Sequence, residues 1–350
     1  NQDTPFTSEI KKVDVQSTGN IELLKTGESK ENISNKIPLP QVEYHLFYQV
    51  NETYQFYQTG ITNEEGKIVF SSIPIGNYCL QEINAPKDYQ VDLKRYCFTL
   101  LKDEIKHLKY HNELKKTSFT IQKVGEHFEK MEHGKGVYQE VPLDNVYFQL
   151  YQVEKEEQID TLKTNQEGIL KIERYLESGN YYLKEVKTKE NYLLDETKYF
   201  FEVLENTHEA ILKFETKIVN KIKKGMIQIR KIDENELPLS DTTFALFSKD
   251  NKKLYEETTS STGKIKITDI PYGEYYIKEI KAKEDYVLKE EPISFKIIND
   301  GQVIPLKITN QKKVYPNTTD YVSKTKQLII GATCIGCLLL MIGVYIEKRR

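Results

Sequence analysis

Apolar and polar residues alternate with a period of two along most of the chain from residue 19 to residue 312. Turn-forming residues interrupt these segments roughly every ten positions, as in proteins built from short strands. Successive side chains of a strand point to opposite faces, so each segment has one apolar face to bury. No long helical periodicity competes with this pattern before the C-terminal segment. The sequence therefore predicts an all-β fold made of β-sandwiches.

The alternating pattern occurs in three copies at intervals of about 100 residues. Each copy has a first strand that ends on Lys, a Thr-led turn that closes on Gly, a Gly-x-Tyr-x-[Leu/Ile]-x-Glu strand, and a last strand that closes on Asn. In chain order, these nine Lys, Glu and Asn residues are Lys25, Glu82, Asn112, Lys123, Glu185, Asn220, Lys231, Glu279 and Asn310. The copies predict three domains at 19–114, 115–222 and 223–312, preceded by an N-terminal arm at 1–18.

All nine polar residues fall in register with the apolar face of their strand. Lys25, for example, lies two residues after Leu23, and Asn112 lies two residues after Tyr110. Burying a Lys or Glu is costly unless the charge is paired, so the threefold recurrence needs an explanation. One interpretation is structural: each residue lies at a strand end, where the sandwich opens and the charge meets water. The other interpretation is a crosslink that the three groups form themselves.

The second interpretation is supported by a resemblance to a known family. The repeated pattern, including the Gly-x-Tyr-x-Leu-x-Glu element, resembles the collagen-adhesin B-type (Cna B-type) domains of Gram-positive adhesins and pilins. The resemblance implies a transthyretin-like Greek-key sandwich in which a Lys of the first strand joins an Asn of the last strand with help from a buried Glu. Carried over to this sequence, the bonds are Lys25 to Asn112 with Glu82, Lys123 to Asn220 with Glu185, and Lys231 to Asn310 with Glu279.

Elementary chemistry gives the same roles to the three groups. Desolvation favours the neutral amine of a buried Lys and the protonated form of a buried Glu. A neutral Glu can polarise the Asn carbonyl and shuttle the proton that expels ammonia, while folding holds amine and amide together. The reaction happens once, has no outside substrate and needs no cofactor. The sequence therefore predicts a structural protein rather than a conventional enzyme.

The C-terminus differs from the rest of the chain. Residues 328–346 contain no charged side chain, and at about 1.5 Å per residue a helix of this length crosses a hydrocarbon core. The basic tail that follows, Lys348 to Arg350, is expected to stay in the cytoplasm. The sequence thus predicts a C-terminal transmembrane helix, with the three domains outside the cell.

A short motif precedes the predicted membrane span. Its residues are Tyr315, Pro316, Asn317, Thr318 and Thr319. Motif, apolar span and basic tail together resemble the cell-wall sorting signal of Gram-positive surface proteins, so residues 313–350 are interpreted as such a signal. The resemblance implies a sortase that cleaves after Thr and joins the chain to wall peptidoglycan or to a lysine of a partner pilin. Tyr and Thr stand where the family's Leu-Pro-x-Thr-Gly motif has Leu and Gly, so a specialised sortase and an uncleaved membrane anchor both stay open.

Charge and the remaining reactive residues narrow the function further. The chain has 50 basic and 53 acidic residues, which gives no field able to hold a nucleic acid. Its six His residues are scattered, so no metal site is predicted. Cys79 and Cys97 have the outward parity on strands that can be neighbours; a cross-strand disulfide is one interpretation, and free surface thiols are the simpler one.

These features predict an extracellular, wall-anchored structural protein. A minor or basal pilus subunit is favoured, because Asn310 and Tyr315 are too close in sequence for a stalk that would cross a thick wall. One alternative is an adhesin that binds a host extracellular-matrix protein. Another is a single-pass membrane ectodomain that is never cleaved.

Overall fold

The computed structural model describes residues 17–315, and over these residues it contains 24 strands and no helix. Within the same residues, no helix is long and apolar enough to span a membrane. The predicted membrane span at 328–346 and the basic tail lie outside the described residues, as does nearly all of the predicted N-terminal arm. The predicted all-β fold of the repeated region is confirmed.

The chain divides into two compact units. Within the described residues, one unit contains 17–126 together with 140–221, and therefore most of the first two sequence copies. The other contains residues 127–139 together with 222–315. Below, the first, second and third domains are the three sequence copies.

The first domain is a sandwich of two four-stranded sheets. Its strands are β1 (Thr18–Glu28), β2 (Lys36–Pro38), β3 (Glu43–Val50), β4 (Thr53–Ile61), β5 (Lys67–Pro74), β6 (Gly76–Asn84), β7 (Arg95–Leu100) and β8 (Ile105–Asn112). One sheet has the order β2-β1-β5 with β8 also paired to β1, and the other has the order β4-β3-β6-β7. Between the sheets lie alternate residues of the strands, among them Ile21, Leu23, Leu46 and Leu80, all buried.

The second domain repeats this arrangement with one more strand. Its strands are β9 (Thr117–Glu132), β10 (Lys135–Pro142), β11 (Tyr147–Gln152), β12 (Glu157–Lys163), β13 (Ile169–Arg174), β14 (Gly179–Lys187), β15 (Lys198–Val203), β16 (Ala210–Leu212) and β17 (Lys217–Asn220). Strand β9 pairs with β13 and with β17, and the opposite sheet has the order β12-β11-β14-β15-β16.

The third domain has seven strands. They are β18 (Lys224–Asp233), β19 (Thr243–Ser248), β20 (Lys253–Thr258), β21 (Lys264–Pro271), β22 (Gly273–Lys281), β23 (Ile293–Ile297) and β24 (Gln302–Asn310). Strand β18 lies between β21 and β24, and the opposite sheet has the order β20-β19-β22-β23.

The first and last strands of each domain are parallel neighbours. The pairs are β1 with β8, β9 with β17, and β18 with β24. In each pair, the last-strand Asn lies opposite the residue two positions after the first-strand Lys: Asn112 pairs with Gly27, Asn220 with Gly125, and Asn310 with Asp233. Because residues two apart share a face, each Lys and Asn point into the same core.

The hairpin formed by the end of β9 and the start of β10 contributes to the core of the third domain. Its residues 127–139 belong to the second compact unit. Met131 is 8% exposed and lies in the apolar core that contains Ile227 and Phe244. The Tyr138 hydroxyl donates a hydrogen bond of 2.6 Å to the carbonyl of Asp269 on β21. The third domain therefore takes part of its core from a segment that precedes it in sequence by about 90 residues.

Candidate functional site

In the first domain, the predicted Lys, Glu and Asn meet in the core. Lys25, Glu82 and Asn112 are at most 2% exposed. The Nζ of Lys25 donates to Oε2 of Glu82 at 2.7 Å and to Oδ1 of Asn112 at 2.5 Å. The Nδ2 of Asn112 donates to the other carboxylate oxygen of Glu82 at 2.5 Å. Amine, amide and carboxylate thus form a closed ring of hydrogen bonds away from water.

The second domain brings the same three groups together. Lys123 donates to Oδ1 of Asn220 at 2.5 Å and forms an ion pair with Oε2 of Glu185 at 2.9 Å. The Nδ2 of Asn220 donates to Oε1 of Glu185 at 2.7 Å and also to the hydroxyl of Thr188 at 3.0 Å. All three predicted residues are at most 1% exposed. The amine therefore again contacts the amide that it is predicted to attack.

The third domain buries the same three residue types but separates two of them. Asn310 donates to Oε1 of Glu279 at 2.5 Å. Lys231, however, lies 3.6 Å from Oε2 of Glu279 and donates to the backbone carbonyl of Ile308 at 3.4 Å. Among residues 17–315, Oδ1 of Asn310 has no hydrogen-bond partner. Asn310 thus hydrogen-bonds the carboxylate, whereas its amide oxygen accepts no hydrogen bond from Lys231.

Burial of all nine residues bears on the structural interpretation of the pattern. Each is at most 2% exposed, so none of these nine side chains meets water at an open strand end. Buried Lys and Glu are retained where they are paired, which the ion pairs in all three domains provide.

A tight turn fixes the backbone of each site lysine. The amide of Lys25 donates to the carbonyl of Gly66 at 2.7 Å, and Lys123 and Lys231 make the same bond to Gly168 and Gly263. Gly66 has a φ of +71°, and a Cβ atom there would lie 2.2 Å from the carbonyl oxygen of Lys25. Only glycine fits this approach, which explains why the Thr-led turn of each copy closes on Gly.

Burial makes the site lysines better nucleophiles. It lowers the pKa of Lys25 and of Lys123, although the ion pairs with Glu82 and Glu185 oppose the effect. Burial likewise lowers the pKa of Lys231, to about 8, again against the attraction of Glu279. A lower pKa raises the fraction of neutral amine, which is the form that can attack an amide carbon.

Tyr44 is a further polar residue of the first site that sequence reasoning missed. It lies opposite Glu82 in the β3–β6 pairing, and its hydroxyl donates to Oε2 of Glu82 at 3.0 Å. Burial raises the pKa of Tyr44, and the neighbouring Glu82 raises it further, so the hydroxyl stays a donor. The second and third copies have Phe148 and Phe244 at this position. Aligning the three copies would have shown that only the first has a hydroxyl here.

Of the two interpretations of Cys79 and Cys97, the structure has the disulfide, and the simpler one, free thiols, is wrong. The two residues lie directly opposite each other on β6 and β7, with their Cα atoms 3.9 Å apart, and they form a disulfide. Cys79 is fully buried, so its outward parity does not expose it. The bond joins two neighbouring strands of the sheet that carries Glu82, and strand alternation alone could not establish this pairing in advance.

Most of the predicted sorting motif lies outside the described residues. Tyr315 is 65% exposed, and its hydroxyl donates to Oδ1 of Asp285 at 3.1 Å. Pro316, Asn317, Thr318 and Thr319 fall beyond residue 315, so their role stays a prediction.

Among solved structures, the chain is similar to the TIE protein of Bacillus anthracis, with 25% identity and a TM-score of 0.57 over 84% of this chain. The chain spans about half of that protein, 51%. Two other similar structures are BcpA, the major pilin subunit of Bacillus cereus, and a streptococcal ancillary pilin. Both are 18% identical to the chain. The TM-scores are 0.39 and 0.35, over 84% and 85% of this chain and 99% and 100% of those chains. No curated protein matches the sequence.

One protein family matches three segments of the chain: SpaA, described as a prealbumin-like fold domain, at residues 19–114, 133–218 and 225–312. The first and third matches contain their site lysine, whereas the second begins after Lys123. Prealbumin is another name for transthyretin, so this is the fold that the resemblance to Cna B-type domains implied. Because the three matches together cover well over half of the sequence, the protein belongs to the SpaA prealbumin-like fold domain family.

Proposed function

We propose that the protein is an extracellular structural subunit of the pilus type, with domains stabilised by isopeptide bonds that form without an external enzyme. The observation that carries this proposal is the contact of a buried amine, amide and carboxylate in each of the first two domains. Membership of a prealbumin-like family supports a structural role.

In the proposed reaction, the neutral Nζ of Lys25 attacks the amide carbon of Asn112. A new carbon–nitrogen bond forms, the bond to Nδ2 breaks, and Nδ2 leaves as ammonia. Glu82 contacts both nitrogens, so its carboxylate is placed to take a proton from the attacking amine and to deliver one to the leaving nitrogen. Lys123, Glu185 and Asn220 would act in the same way. Atoms and charge balance without an outside reactant.

Such a bond would join the ends of a domain. The reacting residues are 87 positions apart in the first domain and 97 apart in the second. The chain-entropy argument used for disulfide loops of this size gives a stabilisation of about 4 to 5 kcal/mol. The bond would also connect the first strand to the last, so that tension on the chain passes through a covalent link.

We further infer that residues 313–350 anchor the protein at the cell surface. The proposed partners are a sortase that recognises Tyr315 to Thr319 and the wall peptidoglycan or pilin lysine that accepts the chain. Before processing, residues 328–346 would hold the chain in the plasma membrane. The short spacer after Asn310 favours a minor or basal subunit.

Accurate intact mass of the purified full chain tests the crosslinks. We expect the wild-type mass to fall short of the sequence mass by one ammonia for each bond. Glu82→Ala and Glu185→Ala should each restore one ammonia mass. Glu65→Ala is the matched control, because Glu65 pairs with Lys67 on the surface, at 2.6 Å. A wild-type mass equal to the sequence mass would refute self-crosslinking.

Cell fractionation tests the anchor separately. After wall digestion, we expect the wild-type chain in the wall fraction without its tail, and a Thr318→Ala variant in the membrane fraction with the tail intact. A wild-type chain that keeps its tail would refute sortase processing and support the uncleaved ectodomain. Strong binding to an immobilised host matrix protein would favour the adhesin instead.

A further inference from the structure

The third site differs from the other two in the contacts of its lysine. Lys231 lies 3.6 Å from Oε2 of Glu279, against 2.7 and 2.9 Å for the lysines of the first two sites. Lys25 and Lys123 each contact the Oδ1 atom of their Asn at 2.5 Å. Lys231 instead donates to the Ile308 carbonyl, and, in the part of the chain that the structure describes, the Oδ1 atom of Asn310 is unpartnered. Proximity of the reacting atoms is what an intramolecular reaction needs most, so the missing hydrogen bond between Lys231 and Asn310 is the difference that bears most directly on the reaction.

Basicity does not account for the difference. Burial lowers the pKa of Lys231 to about 8, and the positive charge of Lys289 contributes to the decrease. In the first two domains, Asp92 and Asp195 stand at the corresponding position, three residues after the loop tyrosine, and their charges act in the opposite direction. The third amine is therefore suited to attack, and its position is what sets it apart.

The residue beside the site Asn also differs. Asn112 and Asn220 lie opposite Gly27 and Gly125 on the parallel neighbouring strand. Asn310 lies opposite Asp233, which is 5% exposed. Paired residues of parallel strands project from the same face of the sheet, so a side chain at this position occupies space next to the Asn amide.

A tyrosine uses the space above each glycine. A Cβ atom on Gly27 or Gly125 would lie 2.6 Å from the ring of Tyr89 or Tyr192, so these rings rest on bare backbone. The Tyr89 hydroxyl donates to the carbonyl of Glu28 at 2.8 Å, and Tyr192 makes the same bond to Glu126 at 3.0 Å.

The equivalent tyrosine of the third domain has a different partner. The Tyr286 hydroxyl lies 3.5 Å from Oδ2 of Asp233. The other oxygen, Oδ1, accepts the backbone amides of Asn235 and Leu237 at 2.9 and 2.8 Å. These bonds fix the Asp233 carboxylate on the residue paired with Asn310, and the Tyr286 hydroxyl faces this carboxylate instead of the backbone carbonyl that Tyr89 and Tyr192 use.

From these contacts we propose that Asp233 is a positioning residue that keeps the third site open: it holds Asn310 out of reach of Lys231, and the mature protein carries two isopeptide bonds rather than three. The proposal rests on the proposed function, because it concerns which of the three sites reacts. In the first two domains, the glycine at this position, Gly27 or Gly125, would leave room for the lysine amine to contact the Asn amide.

Intact mass of the full chain tests this proposal with three variants. The wild type should lack two ammonia masses. Glu279→Ala should leave that loss unchanged, whereas Glu82→Ala should reduce it to one. Asp233→Gly should raise it to three, and Asp233→Asn, which keeps the side-chain volume and an acceptor for the turn, should leave it at two. A merely structural role of Asp233 would not change the number of ammonia molecules lost.

Peptide mapping of the wild type keeps the test independent of variant folding. We expect the Lys231 and Asn310 peptides as separate linear species, and the Lys25 and Asn112 peptides as one branched species. A branched Lys231–Asn310 peptide, or a wild-type loss of three ammonia masses, would overturn the proposal while leaving the proposed function intact. A loss of none would instead refute crosslinking itself, and the proposal with it.

Discussion

Tension applied between the chain ends should distinguish domains that have an isopeptide bond from a domain that lacks one. Force that enters the first domain at the start of β1 reaches Lys25, crosses the proposed bond to Asn112, and leaves at the end of β8. The residues between Lys25 and Asn112 are bypassed, so the domain should not lengthen. In Glu82→Ala the bond is absent, and an 87-residue separation at about 3.3 to 3.6 Å per residue gives roughly 290 to 310 Å of extended chain.

Single-molecule force spectroscopy on the full chain measures this length directly. We expect one unfolding event in the wild type, from the third domain, and a second event of about 300 Å in Glu82→Ala. Glu65→Ala should behave like the wild type, because its charge pair lies on the surface. Three events in the wild type, or no added event in Glu82→Ala, would refute the reasoning.

Three further changes should have measurable effects. Met131→Ala should destabilise the third domain by about 2 to 5 kcal/mol, seen as faster hydrogen exchange in β21; unchanged exchange would show that the hairpin does not support that core. Cys97→Ser should lower the free energy of unfolding of the first domain by about 3 kcal/mol in a denaturant titration. A reducing agent should lower the free energy of unfolding of the wild type but not that of the variant. Since Lys231 has a folded pKa of about 8 against 10.5 unfolded, the stability of the third domain should rise between pH 8 and 10.5, by up to about 3 kcal/mol. Below pH 8 the protonated lysine carries its full burial cost, and Lys231→Met should lack the pH-dependent rise; an equal rise in that variant would assign it to other groups.

The sequence predicts the fold well because strand periodicity is local information. The alternation that places Leu23 and Lys25 on one face is readable from neighbouring residues, and three copies make the reading redundant. The same parity placed every site residue on the apolar face, and the structure buries all nine. The three internal copies show which residue types recur at matching positions, as an alignment of related sequences would.

What the sequence does not predict depends on which strands become neighbours. Cys79 and Cys97 form a disulfide because β6 and β7 pair in a register that sets them opposite each other. Met131 enters the core of the third domain although it lies on β9, a strand of the second. Neither fact is visible in a period-two pattern, because periodicity gives the face of a residue and not its partner.

The third site shows why matching residue types do not establish matching chemistry. Lys231, Glu279 and Asn310 satisfy the motif as fully as the other triads do, and they are equally buried. Contact between amine and amide depends instead on the neighbour of the Asn, which is Gly27 in one domain and Asp233 in another. An intramolecular reaction loses most of its rate advantage once the reacting atoms no longer touch. A residue without any chemical role in the reaction can therefore decide whether the bond forms.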